Sequence, residues 1–231
     1  MRRLALATLA SLALAAGTAQ ADMYTYTLST KVNGTASQGT AVATVADIGA
    51  NTVQITMDLK GFNDTGSGSN VQFVVPWLFN YNGGAGTLTS SNFTYQTSES
   101  TGGMATVSVG TTNGANDIKA GNFNIEFTFP TSNGGTGVNA RFTTGDVAVY
   151  NVTATGLTAS MFNEQSTADG NNPGGYYTAI KVQAIGQSGK SGSMGTSEFT
   201  PGVPEPASVA MALTSSLCLG IVALRRRGRS A

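Results

Sequence analysis

Asn51–Lys60 reads NTVQITMDLK. Val53, Ile55, Met57 and Leu59 fall on one side of an extended chain, and Gln54, Thr56, Asp58 and Lys60 on the other. Successive side chains of a strand point to opposite faces, so this period of two predicts a strand with one face in a core and the other in water. The signature recurs along the chain. Tyr24, Tyr26 and Leu28 alternate with Thr25, Thr27 and Ser29; Ala105, Val107 and Val109 alternate with Thr106 and Ser108; Phe123, Ile125, Phe127 and Phe129 alternate with Asn124, Glu126 and Thr128. Less regular patterns predict further strands over 39–47, 88–96, 138–143, 146–155 and 176–185. Residues 157–164 (LTASMFNE) are the one stretch of the body that suits a short helix. Clusters of Gly, Asn, Asp, Ser and Thr at 61–70, 82–86, 112–121, 131–137 and 168–175 read as turns and loops.

The most apolar stretch of the body is Val71–Asn82, VQFVVPWLFNYN. Pro76 has no N–H to give to a ladder, so it marks an edge, a bulge or a break. Trp77, the one tryptophan, is either a core plug or an exposed platform for a sugar ring. Nine to eleven short strands at this spacing predict an all-β fold: an antiparallel β-sandwich or jelly-roll-like ectodomain over residues 22–186. Residues 187–202, rich in Gly and Ser, read as a linker. No repeat of fixed period is present.

Composition agrees with this class. Of 231 residues only 10% are charged and 30 are glycine. Thr, Ser, Asn and Gly favour strands and tight turns over long helices. The formal net charge of zero hides an asymmetry. Arg2, Arg3, Arg225, Arg226, Arg227 and Arg229 lie at the two ends, which leaves residues 22–202 with six cations and eleven anions, a net −5. An acidic body argues against nucleic acid as a partner.

Both ends read as targeting segments. Residues 1–21 have the form of a secretory signal peptide: Arg2 and Arg3, then the apolar run 4–16, then Ala19-Gln20-Ala21 as the small-x-small cleavage signature. The mature chain is expected to start at Asp22. At the other end Pro204-Glu205-Pro206 precedes residues 207–224, an uncharged run about 27 Å long as a helix, at the short end of what crosses a bilayer. Arg225, Arg226 and Arg227, with Arg229, follow it; positive residues stay cytoplasmic, so the body lies across the membrane. The only cysteine, Cys218, sits in this run, as a small apolar filler or, alternatively, a lipidation site, so the body has no disulfide.

The ordered set of Pro204-Glu205-Pro206, the apolar helix 207–224 and the basic cluster 225–229 resembles the PEP-CTERM sorting signal of Gram-negative bacteria over residues 203–229. The resemblance implies processing by a membrane-embedded exosortase at or near Pro204-Glu205-Pro206, in a host that makes exopolysaccharide. The runs PWLFNY (76–81) and AIKVQAIG (179–186) are similar to segments of ectodomains in that group. The expected route is export through the general secretion machinery, a single-pass inner-membrane precursor with a periplasmic ectodomain, and then the cell surface or the extracellular space.

The chemistry available is narrow. There is no histidine, so Ser-His-Asp and Cys-His catalysis and histidine metal sites are excluded. Without a body cysteine, thiolate chemistry goes as well. A two-carboxylate glycosidase remains open, with Asp47, Asp58, Asp64, Glu99, Asp117, Glu126, Asp146, Glu164 and Asp169 as candidates but no pairing among them. Asp64 and Asn70 in one loop, and Asn113, Asn116 and Asp117 in another, offer oxygen ligands for calcium without EF-hand spacing. No cofactor is assigned. Three readings follow: a non-catalytic structural or interaction protein of the surface or exopolysaccharide matrix; a carbohydrate-binding or adhesin module stacking sugars on Trp77, Tyr81, Tyr95, Tyr176 and Tyr177; and, third, a carboxylate-dependent glycoside hydrolase.

Overall fold

The computed structural model describes residues 21–37, 39–63, 71–112, 118–132, 134–170, 172–186 and 189–202. Residues 22–202 form one compact unit. Among the described residues its strands are β1 (Met23–Leu28), β2 (Thr30–Gly34), β3 (Ala41–Gly49), β4 (Thr52–Asp58), β5 (Phe73–Phe79), β6 (Phe93–Tyr95), β7 (Thr106–Thr112), β8 (Phe123–Thr128), β9 (Val147–Thr153), β10 (Thr178–Ile185), β11 (Lys190–Thr196) and β12 (Thr200–Gly202). They make two six-stranded antiparallel sheets, ordered β12-β1-β3-β4-β9-β6 and β2-β11-β10-β5-β8-β7. The sheets enclose one main core, so the expected β-sandwich is the architecture found.

The alternating strands behave as their patterns dictate. Val53, Ile55 and Met57 are fully buried on β4 while Gln54, Thr56 and Asp58 are not. Ile125 and Phe127 on β8 and Ala148, Tyr150 and Val152 on β9 meet in the same core. Phe127 lies 4.9 Å from Tyr150, 5.7 Å from Phe93 and 5.8 Å from Phe79, ring centre to ring centre, each pair edge to face.

Strand β5 departs from alternation because both of its faces are covered. Trp77 and Phe79 enter the main core, while Leu78 joins Ile118, Ala120, Phe123 and Ala179 in a second cluster. Pro76 lies inside this central strand, after a cis Val75–Pro76 bond. It is tolerated at a bulge: Trp77 pairs with Ile180 and Val74 with Val182, so Val75 and Pro76 together oppose Lys181. On the other side β8 pairs only from Trp77 onward, and the Val74 N–H donates instead to the Phe142 carbonyl at 2.9 Å.

Several expectations are corrected. Residues 187–202 do not form a linker over their described part; they supply β11 and β12 and follow what read as the last strand. Their small residues are a packing requirement. A side chain at Gly192 would strike the Thr35 backbone and one at Gly195 the Tyr176 ring, while Ser193 and Met194 are buried. Over 88–96 only Phe93–Tyr95 is a strand, because Asn92 turns the chain: its Oδ1 accepts the Thr89 N–H at 2.8 Å and its Nδ2 donates to the Thr153 carbonyl at 2.8 Å. Over 138–143 a 3₁₀ turn (Gly137–Asn139), opened by Gly137 at φ +58°, replaces a strand. The helix expected over 157–164 is a 3₁₀ turn, Ala159–Phe162.

The first and last strands pair with each other and change sheets together. β1 pairs β12 in one sheet and β2 pairs β11 in the other, with only Ser29 between β1 and β2. Met23 and Gly202 are cross-strand neighbours.

Trp77 makes one buried polar contact. Its Nε1–H donates to Thr178 Oγ1 at 2.8 Å, and the Thr178 hydroxyl donates to the Leu78 carbonyl at 2.7 Å. Thr178→Val keeps the shape and removes the acceptor, so it should lower the unfolding free energy by about 1–3 kcal/mol. Urea unfolding followed by the fluorescence of the single tryptophan checks this, and Thr178→Ser should lose less.

Candidate functional site

The aromatic residues expected as sugar platforms do not form one exposed face. Trp77 is 0% exposed, which removes it as a platform. Tyr81 is buried and its hydroxyl is committed to a turn, accepting the Ala85 N–H at 2.8 Å and donating to the Gly86 carbonyl at 3.0 Å. The Tyr95 hydroxyl donates to the Gly102 carbonyl. Half-buried Tyr177 packs against Phe199 and Tyr26, with ring centres 5.2 and 5.9 Å apart, and half-buried Tyr176 covers the second cluster.

The carboxylates are dispersed. Asp58 Oδ1 accepts the Lys60 N–H at 2.7 Å, with the Lys60 ammonium 3.7 Å from Oδ2. Glu99 accepts from Gln54 at 3.1 Å, Glu126 from the Thr128 hydroxyl at 3.0 Å, and Asp146 from the Thr143 N–H and hydroxyl at 2.8 and 2.9 Å. Asp47 holds the Asp22 and Ala159 N–H groups at 3.0 and 2.7 Å. Three clefts are lined by one carboxylate each: Glu198, Glu164 and Asp146. Two-carboxylate glycoside hydrolysis needs both acids in one cleft. No group of three or more Asp, Glu, Cys or His gathers for a metal among the described residues. Asp64, Asn70, Asn113, Asn116, Asp117, the signal segment up to residue 20 and the tail from residue 203 lie outside the described residues.

The cleft with the most distinctive chemistry, about 500 Å³, opens where β5 and β8 run out of ladder. Backbone pairing ends at Phe79 and Ile125, and asparagine side chains take over. Asn80 Oδ1 accepts the Asn124 N–H at 2.9 Å. Asn124 Oδ1 accepts the Tyr81 N–H at 2.9 Å, and its Nδ2 donates to the Tyr81 carbonyl at 2.6 Å. These amides therefore hold the floor together. Glu164, Gln165 and Thr167 form the other wall, fixed by the Asn122 N–H donating to the Thr167 carbonyl at 2.8 Å. All three are exposed, and the buried Asn122 Oδ1 has no protein partner. The cleft has the size of a small-ligand site and contains hydroxyl, amide and carboxylate groups with no cation. It can hydrogen-bond a hydroxyl-rich molecule. The sequence signal for it, Asn at 80, 82, 122 and 124, was hidden among turn residues.

No family model matches the chain, and neither does any curated protein or solved structure.

Burial sets the ionisation of the deepest phenols. Tyr26 is raised far above the ordinary tyrosine value by burial first, then by Tyr24 and Tyr177. Tyr150 is raised mainly by burial, against the lowering effect of its bond to Ala105. Both hydroxyls stay neutral in the fold and ionise near pH 10 in the unfolded chain, so their contribution is complete below about pH 10 and is lost as pH rises above it. Urea midpoints measured from pH 7 to 11 should be level at first and fall above about 10. Separately, Asn124→Ala strips both partners from the Tyr81 backbone and should cost about 1–3 kcal/mol in the same unfolding assay.

Proposed function

We propose that the protein is exported and acts without catalysis at the cell surface or in the extracellular matrix, in an exopolysaccharide context, after sorting through a PEP-CTERM and exosortase pathway. The observation that carries this reading is the ordered tail: Pro204-Glu205-Pro206, the uncharged run 207–224 and Arg225, Arg226 and Arg227. The domain is compatible with it. Residues 22–202 form a compact unit between the two targeting segments, and the unit carries a net −5 with a Thr/Ser/Asn-rich exterior suited to hydrated polymer. Its partners on this reading are the secretion machinery, an exosortase and a polysaccharide or surface component.

Carbohydrate binding is the second reading, and the amide-lined cleft favours it over the tyrosine platforms. Exposed Glu164, Gln165 and Thr167 line a cleft whose lining residues include a carboxylate and no cation, so the matching ligand is a neutral polysaccharide rather than a polyanion.

Intact-mass and C-terminal peptide analysis by cell fraction tests the first reading. It expects a species that starts at Asp22 and ends near Pro204–Pro206. A species that keeps residues 207–231 and is confined to the inner membrane would overturn it. For the second, the Gln165→Ala, Thr167→Ala double variant should bind a neutral polysaccharide at least about tenfold more weakly than the parent, a loss of about 1.4 kcal/mol. Equal retention on an affinity gel would discard that reading.

A further inference from the structure

We infer that cutting the chain before Asp22 completes an ion-pair clamp: the new α-ammonium of Asp22 sits on the Asp47 carboxylate, which also holds the 3₁₀ turn at Ala159–Phe162. The inference rests on the export reading, which supplies the cut.

The geometry is already in place. Asp22 N lies 3.0 Å from Asp47 Oδ2, and the Asp47 N–H donates to the Asp22 carbonyl at 2.9 Å. The other carboxylate oxygen, Oδ1, accepts the Ala159 N–H at 2.7 Å. One side chain at the end of β3 thus joins the start of β1 to the turn that buries Phe162, whose carbonyl accepts the Tyr26 hydroxyl at 3.4 Å. In the uncut chain Asp22 N is an amide and offers this acceptor a single neutral donor. After the cut it is an ammonium with three hydrogens and a full positive charge, and a charge-assisted bond is roughly twice as strong as a neutral one.

The surroundings favour a cation there. The amine has the Asp47 carboxylate against it and the Asp22 carboxylate on its own residue, and the Tyr24 phenol lies within electrostatic reach of both carboxylates. Tyr24 is raised by burial first and then by both of those carboxylates, a mark of local negative potential. Neither carboxylate has an ion-pair partner among the described residues. The α-ammonium is the cation this corner lacks, and only processing creates it.

The test uses the full chain exported with its own signal from a bacterial host. Mass spectrometry of the N-terminal peptide first identifies the start. The Asp22 α-amine is then labelled with an amine-reactive reagent between pH 6 and 9, alongside the free peptide of residues 22–25 and the Asp47→Asn protein. Asn keeps an oxygen for the Ala159 N–H and removes the charge. An ion-paired amine holds its proton to higher pH, so the parent should label about threefold more slowly near pH 6.5 than either control, as half a pKa unit gives. If Asp47→Asn does not accumulate, parent against peptide decides. Equal rates in a chain that starts at Asp22 overturn the clamp and leave export intact. A start at any other residue overturns the assigned cut and the clamp together.

Discussion

Strand β5 is paired on both sides and covered on both faces, so each of its polar groups must find a partner inside the protein. That constraint explains much of the neighbourhood. Thr178 is kept polar on a buried strand because it serves the Trp77 indole and the Leu78 carbonyl together. Pro76 sits where a bulge leaves no ladder bond to miss, and Phe142 approaches to take the Val74 N–H. At the far end of the same strand, Asn80 and Asn124 replace backbone partners with side-chain amides. The floor of the cleft is thus the continuation of a pairing problem that begins in the core.

Legibility in the sequence followed the number of faces a strand buries. Val53, Ile55 and Met57, and likewise Ile125 and Phe127, announce themselves because water on the other face forces polar residues between them. Where both faces are covered the alternation vanishes, and Val71–Asn82 could be recognised as apolar without revealing that Pro76 lies mid-strand. Lys190–Thr196 shows the opposite failure. Gly192 and Gly195 there serve close approach to Thr35 and Tyr176, a demand from other segments that composition cannot express.

The site was less readable than the fold for the same reason. A tyrosine's identity does not state whether its ring faces water, and Trp77 and Tyr81 turned inward. Glu164 was visible as one acid among many, but its setting opposite four asparagines depends on the Asn122–Thr167 contact between segments 45 residues apart. Asn residues in the turns looked like turn formers, and Asn92 is one. Asn124, with the same side chain, is a substitute for backbone.

The pairing of Met23 with Gly202 has a topological consequence. Cross-strand neighbours have Cα atoms about 5 Å apart, less than two residues of extended chain. The domain is therefore almost a closed ring of polypeptide. A bridge of a few residues would join its ends without bending a strand, and the chain could be opened at a surface turn such as 83–86 to give a permuted order of the same strands. Equally, the whole sandwich could be carried in a loop of another protein, entering and leaving through one narrow gate.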